Sequence, residues 1–155
     1  MSSTGGEVPV DEFIRIAVEE ARSGMDEGGL PVGAVLVVAG SVLGRGRNRI
    51  IQNTDPTAHA EVECLRAVGR RSSYRSAVLY TTMAPCLMCC GAIQHFGIRT
   101  VVVGETHSYP GYPEVLRSAG IELVDLDLDE LRTLVEEWIN NHPQLWHEAA
   151  IPGRE

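Results

Sequence analysis

The chain has 155 residues, of which 44% are hydrophobic and 22% charged, and its formal net charge is −8. These values are typical of one globular domain with an ordinary core. The acidic balance disfavours a nucleic-acid substrate, because proteins that bind phosphate backbones usually carry a basic face. It leaves open a local basic patch at Arg45, Arg47 and Arg49 or at Arg70 and Arg71.

Hydrophobic periodicity predicts a helix, a hairpin and a second helix in the first half of the chain. Apolar residues between Val10 and Ala21 recur at helical spacing, with Asp11 as the predicted cap and Gly28 at the end of the helix. The next predicted elements are a strand (31–38), a turn at Gly40, a strand (42–47), a polar loop (48–57) and a helix (58–68). On this last helix, Glu61 and Glu63 are expected on the wetter side.

Strands and helices alternate in the second half. The predicted elements are a strand (77–82), a helix (86–96) with Pro85 where the helix begins, a strand (100–103), a loop (105–113), a strand (121–124), a helix (129–140) and a final helical turn (143–146). This order predicts an α/β layered domain with a mixed sheet and helices on both faces.

No apolar run is long enough to span a membrane, and the N-terminus has no basic region followed by an apolar stretch. We therefore expect a cytoplasmic protein without a signal peptide. We also expect one domain over residues 1–155, with flexible ends at residues 1–7 and 152–155.

Three of the four cysteines, Cys86, Cys89 and Cys90, crowd into one short stretch. In a cytoplasmic chain this clustering indicates a metal site or redox chemistry rather than disulfides. Cys86 and Cys89 lie three residues apart at a predicted helix start, so their sulfur atoms face the same side, where the helix dipole stabilises thiolate. His59 opens another helix. If the two helix starts converge, these three ligands suit a catalytic zinc with one open position.

Glu61 completes this pattern, because a carboxylate that is not itself a ligand can move protons to and from a water activated by zinc. An H-x-E followed by P-C-x-x-C is the general signature of zinc deaminases. Taken alone, the second motif also fits a thioredoxin-like redox site or half of a structural zinc site. A structural zinc would need Cys64 or Cys90 as its fourth ligand, and both are better interpreted as buried small apolar residues.

The chain resembles the cytidine deaminase-like superfamily and, within it, the small fungal-type cytosine deaminases. The resemblance extends beyond the zinc motif to EGGLPVG (27–33), GRGRN (44–48), LYTT (79–82), GAI (91–93), VGE (103–105) and HPQLW (142–146). It implies a three-layer α/β/α sandwich with a five-stranded mixed sheet, one zinc ion per chain and a homodimer.

The same resemblance implies roles for five residues around a small heterocyclic base. Asn48 would hydrogen-bond the base and the backbone N–H of Ala60 would help to hold it, while Glu61 shuttles protons. Tyr109 stands where the family has a phenylalanine that stacks on the base, and Trp146 would help to close the pocket.

Two departures from the family bear on the substrate. An aspartate that contacts the base is replaced by Ala149, and the neighbouring Glu148 is a candidate to take over its role. Tyr109 adds a hydroxyl group that needs a partner or reaches water. His107, just before it, is a further candidate for contact with substrate. His95 is interpreted as a packed or surface residue.

These observations predict a zinc-dependent hydrolytic deaminase that releases ammonia from a free aminated heterocycle, with cytosine to uracil as the first choice. The same chemistry on guanine, a triazine or a pterin is the nearest alternative. A tRNA adenosine deaminase and a non-catalytic zinc-binding module are the remaining alternatives.

Overall fold

The computed structural model describes residues 10–150 and, for Val10 and Asp11, the backbone only. The ends predicted to be flexible, 1–7 and 152–155, lie outside these residues. The elements are α1 (Val10–Asp26), β1 (Gly33–Val38), β2 (Ser41–Arg47), α2 (Ile50–Asn53), α3 (Ala60–Val68), β3 (Ala77–Met83), α4 (Leu87–Phe96), β4 (Thr100–Glu105), α5 (Pro113–Ser118), β5 (Glu122–Asp125), α6 (Asp129–Asn141) and α7 (Pro143–Ala150).

The strands form one mixed sheet in the order β2-β1-β3-β4-β5. Strand β1 pairs antiparallel with both β2 and β3, whereas β3, β4 and β5 run parallel. Parallel neighbours need crossover connections, and α4 and α5 supply them. The carboxyl ends of β3 and β4 therefore meet at one edge of the sheet, where α/β proteins commonly bind ligands.

Alternation along β1 explains why both faces of the sheet carry helices. Ala34 and Leu36 point to one side and pack with buried residues of α3 and α4. Val35 and Val37 point to the other side and pack with buried residues of α1. All four side chains are at most 4% exposed, so the sheet is the middle layer of a sandwich. The predicted α/β/α architecture with a five-stranded mixed sheet is confirmed.

Two glycines allow helices to approach the sheet closely. A Cβ atom on Gly33 would lie 2.0 Å from the carbonyl oxygen of Ala17 in α1. A Cβ atom on Gly46 would lie 2.4 Å from the backbone nitrogen of Cys64 in α3. Since backbone atoms cannot yield as a flexible side chain can, these positions need glycine. The contact at Gly46 sets the depth at which α3 lies on the sheet.

Sequence periodicity missed two short helices. Helix α2 lies inside the predicted polar loop and is a single turn, too short to show a helical pattern. Its first N–H, on Ile50, donates to the Asn48 side chain at 3.1 Å. Helix α5 begins with Pro113, at the end of the predicted loop, where the fixed φ of proline suits the first helical position.

The boundaries of three helices also differ from the prediction. Asp11 lies inside α1 rather than at its cap. Helix α4 begins at Leu87 with Cys86 as its N-cap, so Pro85 precedes the helix instead of opening it. Helix α7 continues to Ala150 rather than ending at Trp146. Among the residues described, no helix combines the length and the apolar character that crossing a membrane requires.

Candidate metal centre and pocket

His59 and Cys86, 27 residues apart, occupy the N-cap positions of α3 and α4, and Cys89 lies in the first turn of α4. Nδ1 of His59 lies 3.5 Å from Sγ of Cys86 and 3.7 Å from Sγ of Cys89. With bonds of about 2.3 Å to sulfur and about 2.0 Å to nitrogen, a tetrahedral zinc ion separates such a nitrogen from a sulfur by about 3.5 Å. The predicted convergence of the two helix starts is therefore confirmed, and the three side chains are positioned to bind one zinc ion.

The local structure prepares these side chains to bind a cation. Neither His59 nor Cys86 caps its own helix with a side-chain hydrogen bond. The hydrogen bond from Cys89, followed by the neighbouring His59, lowers the pKa of Cys86 to about 4 against the effect of burial. The interaction with Cys86 and burial raise the pKa of Cys89. One thiolate is thus available near neutral pH, and Cys89 would lose its proton on binding a metal ion.

The other two cysteines lie elsewhere. The thiol of Cys64 donates to the Gly44 carbonyl at 3.5 Å, and that of Cys90 donates to the Pro85 carbonyl at 3.6 Å. Both residues are fully buried, and burial raises the pKa of each thiol to about 12. Their interpretation as small buried residues is confirmed.

Glu61 is only 4% exposed, so its expected place on the wetter side of α3 was wrong. Its side chain is buried with those of Ala60 and Cys64, the other buried residues of α3. Burial raises the pKa of Glu61 to about 7, although the nearby His59 opposes this shift. A carboxyl group with this pKa exchanges protons in both directions near neutral pH.

Glu61, His59 and Cys86 share a cavity with Asn48, which is 4% exposed. Because the side-chain oxygen of Asn48 accepts the Ile50 N–H, its amide orientation is set and its NH2 group is the donor left for a ligand. The remaining wall is mainly apolar and is formed by Leu30, Val32, Ile50, Met83, Ala84, Tyr109, Trp146, Ala149 and Ala150.

The predicted substrate contacts do not all line the same space. Tyr109 and Trp146 line the inner cavity and also a wider cleft outside it. Ala149 faces the inner cavity, whereas the exposed Glu148 lines only the outer cleft. His107 lines neither space. Its Nε2 atom lies 3.1 Å from an Asp127 carboxylate oxygen, on the side towards β5.

The Tyr109 hydroxyl group has a partner in Tyr112. Burial and the nearby Tyr112, including a hydrogen bond between the two side chains, raise the pKa of Tyr109 to about 12. The phenol therefore stays neutral at physiological pH and can present its ring to the cavity.

Sequence reasoning missed most of the apolar wall, including Leu30, Val32 and Met83. The available signal was their place at strand ends beside the metal motif. It also missed Glu105, which ends β4 and is fully buried. An acidic residue at the end of an apolar strand was the sign that could have revealed it.

Comparison with known proteins agrees with this geometry. Residues 9–105 match the family model described as the cytidine and deoxycytidylate deaminase zinc-binding region. A cytosine deaminase of Candida albicans is 35% identical over 138 residues, covering 87% of this chain and 92% of the relative. A tRNA-specific adenosine deaminase of Buchnera aphidicola is 32% identical over 130 residues, covering 82% and 83% of the two chains. Among solved structures, a guanine deaminase of Bacillus subtilis is 28% identical with a TM-score of 0.62, covering 86% of this chain and 95% of its own.

Proposed function

Because the chain belongs to the zinc-binding family of cytidine and deoxycytidylate deaminases, we propose that this hydrolytic deaminase converts free cytosine to uracil and ammonia. The observation that carries the proposal is the small cavity in which Glu61 and Asn48 meet the metal-binding side chains under Trp146. The likeness to a fungal cytosine deaminase over most of both chains supports the same substrate.

We propose that the residues around the cavity divide the reaction between them. Zinc, when bound by His59, Cys86 and Cys89, lowers the pKa of a coordinated water and so supplies a nucleophile near neutral pH. Glu61 accepts a proton from this water and passes it to the ring nitrogen beside the amino-bearing carbon. It then delivers the second proton to the departing amine, so that water and the aminated ring become the oxo ring and ammonia.

Asn48 and Ala60 are the proposed anchors of the ring. The NH2 group of Asn48 is available as a donor to an acceptor of the base. Ala60 is the first residue of α3, so its N–H has no acceptor within the helix and can serve a ligand. Tyr109 and Trp146 supply flat apolar contact on the ring, and Trp146 also covers the cavity from α7.

A different free base is the second candidate, and Ala149 is the observation that favours it. The inner wall on α7 carries no carboxylate, because Glu148 lines the outer cleft. A base that has no hydrogen-bond donor on the edge facing Ala149 would lose no hydrogen bond at this wall. The similarity to a guanine deaminase supports guanine as such a base. Triazines and pterins are the other free bases among the candidates.

Ammonia release over a panel of substrates tests these proposals. The zinc-loaded chain is assayed with cytosine, cytidine, guanine, an amino-substituted triazine and an amino-substituted pterin. Cytosine is expected to give the highest kcat/KM. A higher value for another free base would overturn the choice of cytosine and leave the reaction class intact. The panel includes a tRNA anticodon stem-loop, because a tRNA-specific adenosine deaminase is among the relatives. Deamination of that RNA alone would overturn the free-base proposal.

We also propose that the chain forms a homodimer through α4. Three of the five large hydrophobic residues that are exposed within residues 10–150 lie on this helix, namely Leu87, Met88 and Phe96, at 55%, 40% and 48% exposure. Sedimentation of the zinc-loaded chain should give twice its mass of 16.8 kDa. A species of the single mass at micromolar concentration would contradict the proposal.

We propose that the chain forms one domain and is located in the cytoplasm. The single sheet with its shared layers supports the first. Four free cysteines, two of them metal ligands that must stay reduced, support a reducing compartment.

A further inference from the structure

Glu105 is a fully buried acid that the proposed reaction does not use. It is the last residue of β4, and in the parallel register it lies opposite Met83 of β3. Met83 belongs to the wall of the inner cavity. Glu105 therefore stands at the carboxyl edge of the sheet, beside a residue of the pocket wall, and begins the segment that leads to Tyr109.

The side chain of Glu105 holds the turn that follows it. Its Oε1 atom accepts the backbone N–H of His107 at 2.9 Å and the backbone N–H of Ser108 at 3.0 Å. The next residue is Tyr109. Two bonds to one oxygen fix the chain direction immediately before the aromatic ring, as a side-chain-closed turn does elsewhere in proteins.

Burial of the Glu105 carboxyl group has a free-energy cost, which its hydrogen bonds to the turn offset. Within residues 10–150, the second oxygen of Glu105, Oε2, is buried and has no hydrogen-bond partner. Burying a carboxyl group is unfavourable unless it is hydrogen-bonded, so the two backbone N–H groups are the compensation that the structure offers. Two other side-chain contacts hold the outer part of the loop. The Thr106 hydroxyl group donates to an Asp125 carboxylate oxygen at 2.8 Å, and Nε2 of His107 lies 3.1 Å from an Asp127 carboxylate oxygen.

We infer that Glu105 is a positioning residue that sets the ring of Tyr109 against the substrate by closing the turn at His107 and Ser108. The inference rests on the proposed function, in which Tyr109 contacts the base. Loss of the turn displaces the ring rather than the metal site. A displacement of about 1 Å in a positioning group is enough to reduce a rate by about 100-fold.

Isosteric variants separate positioning from simple packing. Glu105→Gln keeps an oxygen that can accept both N–H groups, whereas Glu105→Met has the same shape and no acceptor. Glu105→Met is expected to lower kcat/KM at least about 10-fold on the best substrate of the panel, mainly through KM, with one zinc per chain retained. Glu105→Gln should stay within about 3-fold of wild type. Glu105→Asp keeps the acid on a side chain too short to reach both N–H groups, so it should also lose at least about 10-fold in kcat/KM, and it provides the test if Glu105→Met fails to fold.

Thr106→Val is the matched control, since it removes a hydrogen bond of the same loop that does not involve the turn before Tyr109. It should behave as wild type. A loss of activity in Glu105→Gln equal to that in Glu105→Asp would overturn the inference, as would wild-type behaviour of Glu105→Asp.

A double-mutant cycle with Tyr109→Ala tests whether Glu105 acts through the ring. In that background, Glu105→Asp should change kcat/KM by less than about 2-fold, because the ring it positions is gone. Full additivity of the two losses would contradict the inference. Hydrogen exchange at the His107 and Ser108 amides needs no substrate: it should accelerate in Glu105→Asp and not in Glu105→Gln. If exchange does not accelerate in Glu105→Asp, the inference that Glu105 closes the turn is refuted. If exchange changes as predicted but no substrate of the panel releases ammonia, only the proposed function is refuted.

Discussion

Glu61→Gln should bind zinc as the wild type does and release ammonia at least about 1,000-fold more slowly from the preferred base. Such a loss corresponds to about 4 kcal/mol of transition-state stabilisation. Glutamine keeps the shape of the side chain in a site that is 4% exposed, but it can neither take the proton of the water nor return it to the amine. Zinc content by metal analysis and steady-state ammonia release measure the two effects separately.

Glu63→Gln is the control for this variant, because Glu63 lies two residues further along the same helix, pairs with the exposed Arg66 and does not line the cavity. It should keep both zinc and activity. Wild-type activity in Glu61→Gln would refute the proton-transfer role. Loss of zinc in that variant would show instead that Glu61 supports the metal site.

Cys86→Ala should lose zinc, activity and part of the stability together. Two ligands remain, and they cannot hold the ion in a tetrahedral site. If zinc is present at about 1,000 times its dissociation constant, losing it reduces the free energy of unfolding by about 4 kcal/mol. Thermal denaturation of wild type with and without a chelator should show the same difference in melting temperature, and added zinc should reverse it in wild type only.

Cys90→Ala gives the matched comparison, since Cys90 lies on the same helix with its thiol on the Pro85 carbonyl. It should keep one zinc per chain and respond to the chelator as wild type does, apart from a smaller constant loss of packing energy. Equal loss of zinc in the two variants would mean that the ligand set includes Cys90. Full zinc in Cys86→Ala would remove Cys86 from that set.

The sandwich follows from patterns that lie within single elements. The continuous apolar run of β1 and the helical spacing in α1 and α6 each involve neighbouring residues, so they are visible without a fold. The single-turn α2 and the six-residue α5 are too short to carry a pattern. They depend on particular contacts, the Asn48 side chain in one case and Pro113 in the other.

The residues that carry the chemistry of the site could also be predicted from the sequence, because the spacings within each motif are short. Cys86 and Cys89 share one helix start, and His59 and Glu61 share another. Cys86 and Cys89, three residues apart, need only the geometry of one helix turn to face the same way, whereas His59 is the extended N-cap of the helix that carries Glu61. The amino-acid sequence was therefore sufficient to name the zinc ligands that the structure brings together, and the family of the protein.

The identity of the pocket wall required the tertiary structure. His59 and Cys86, 27 residues apart, meet only because β1, β3 and β4 are adjacent in the sheet. Consecutive helical residues differ in direction by about 100°, so the packing of α7 decides that Ala149 faces the cavity and Glu148 the outer cleft. The turn closed by Glu105 likewise presents Tyr109 to the cavity and leaves His107 beside Asp127. Local spacing specifies which side chains can act together, whereas the packing of distant elements decides which of them reach the substrate.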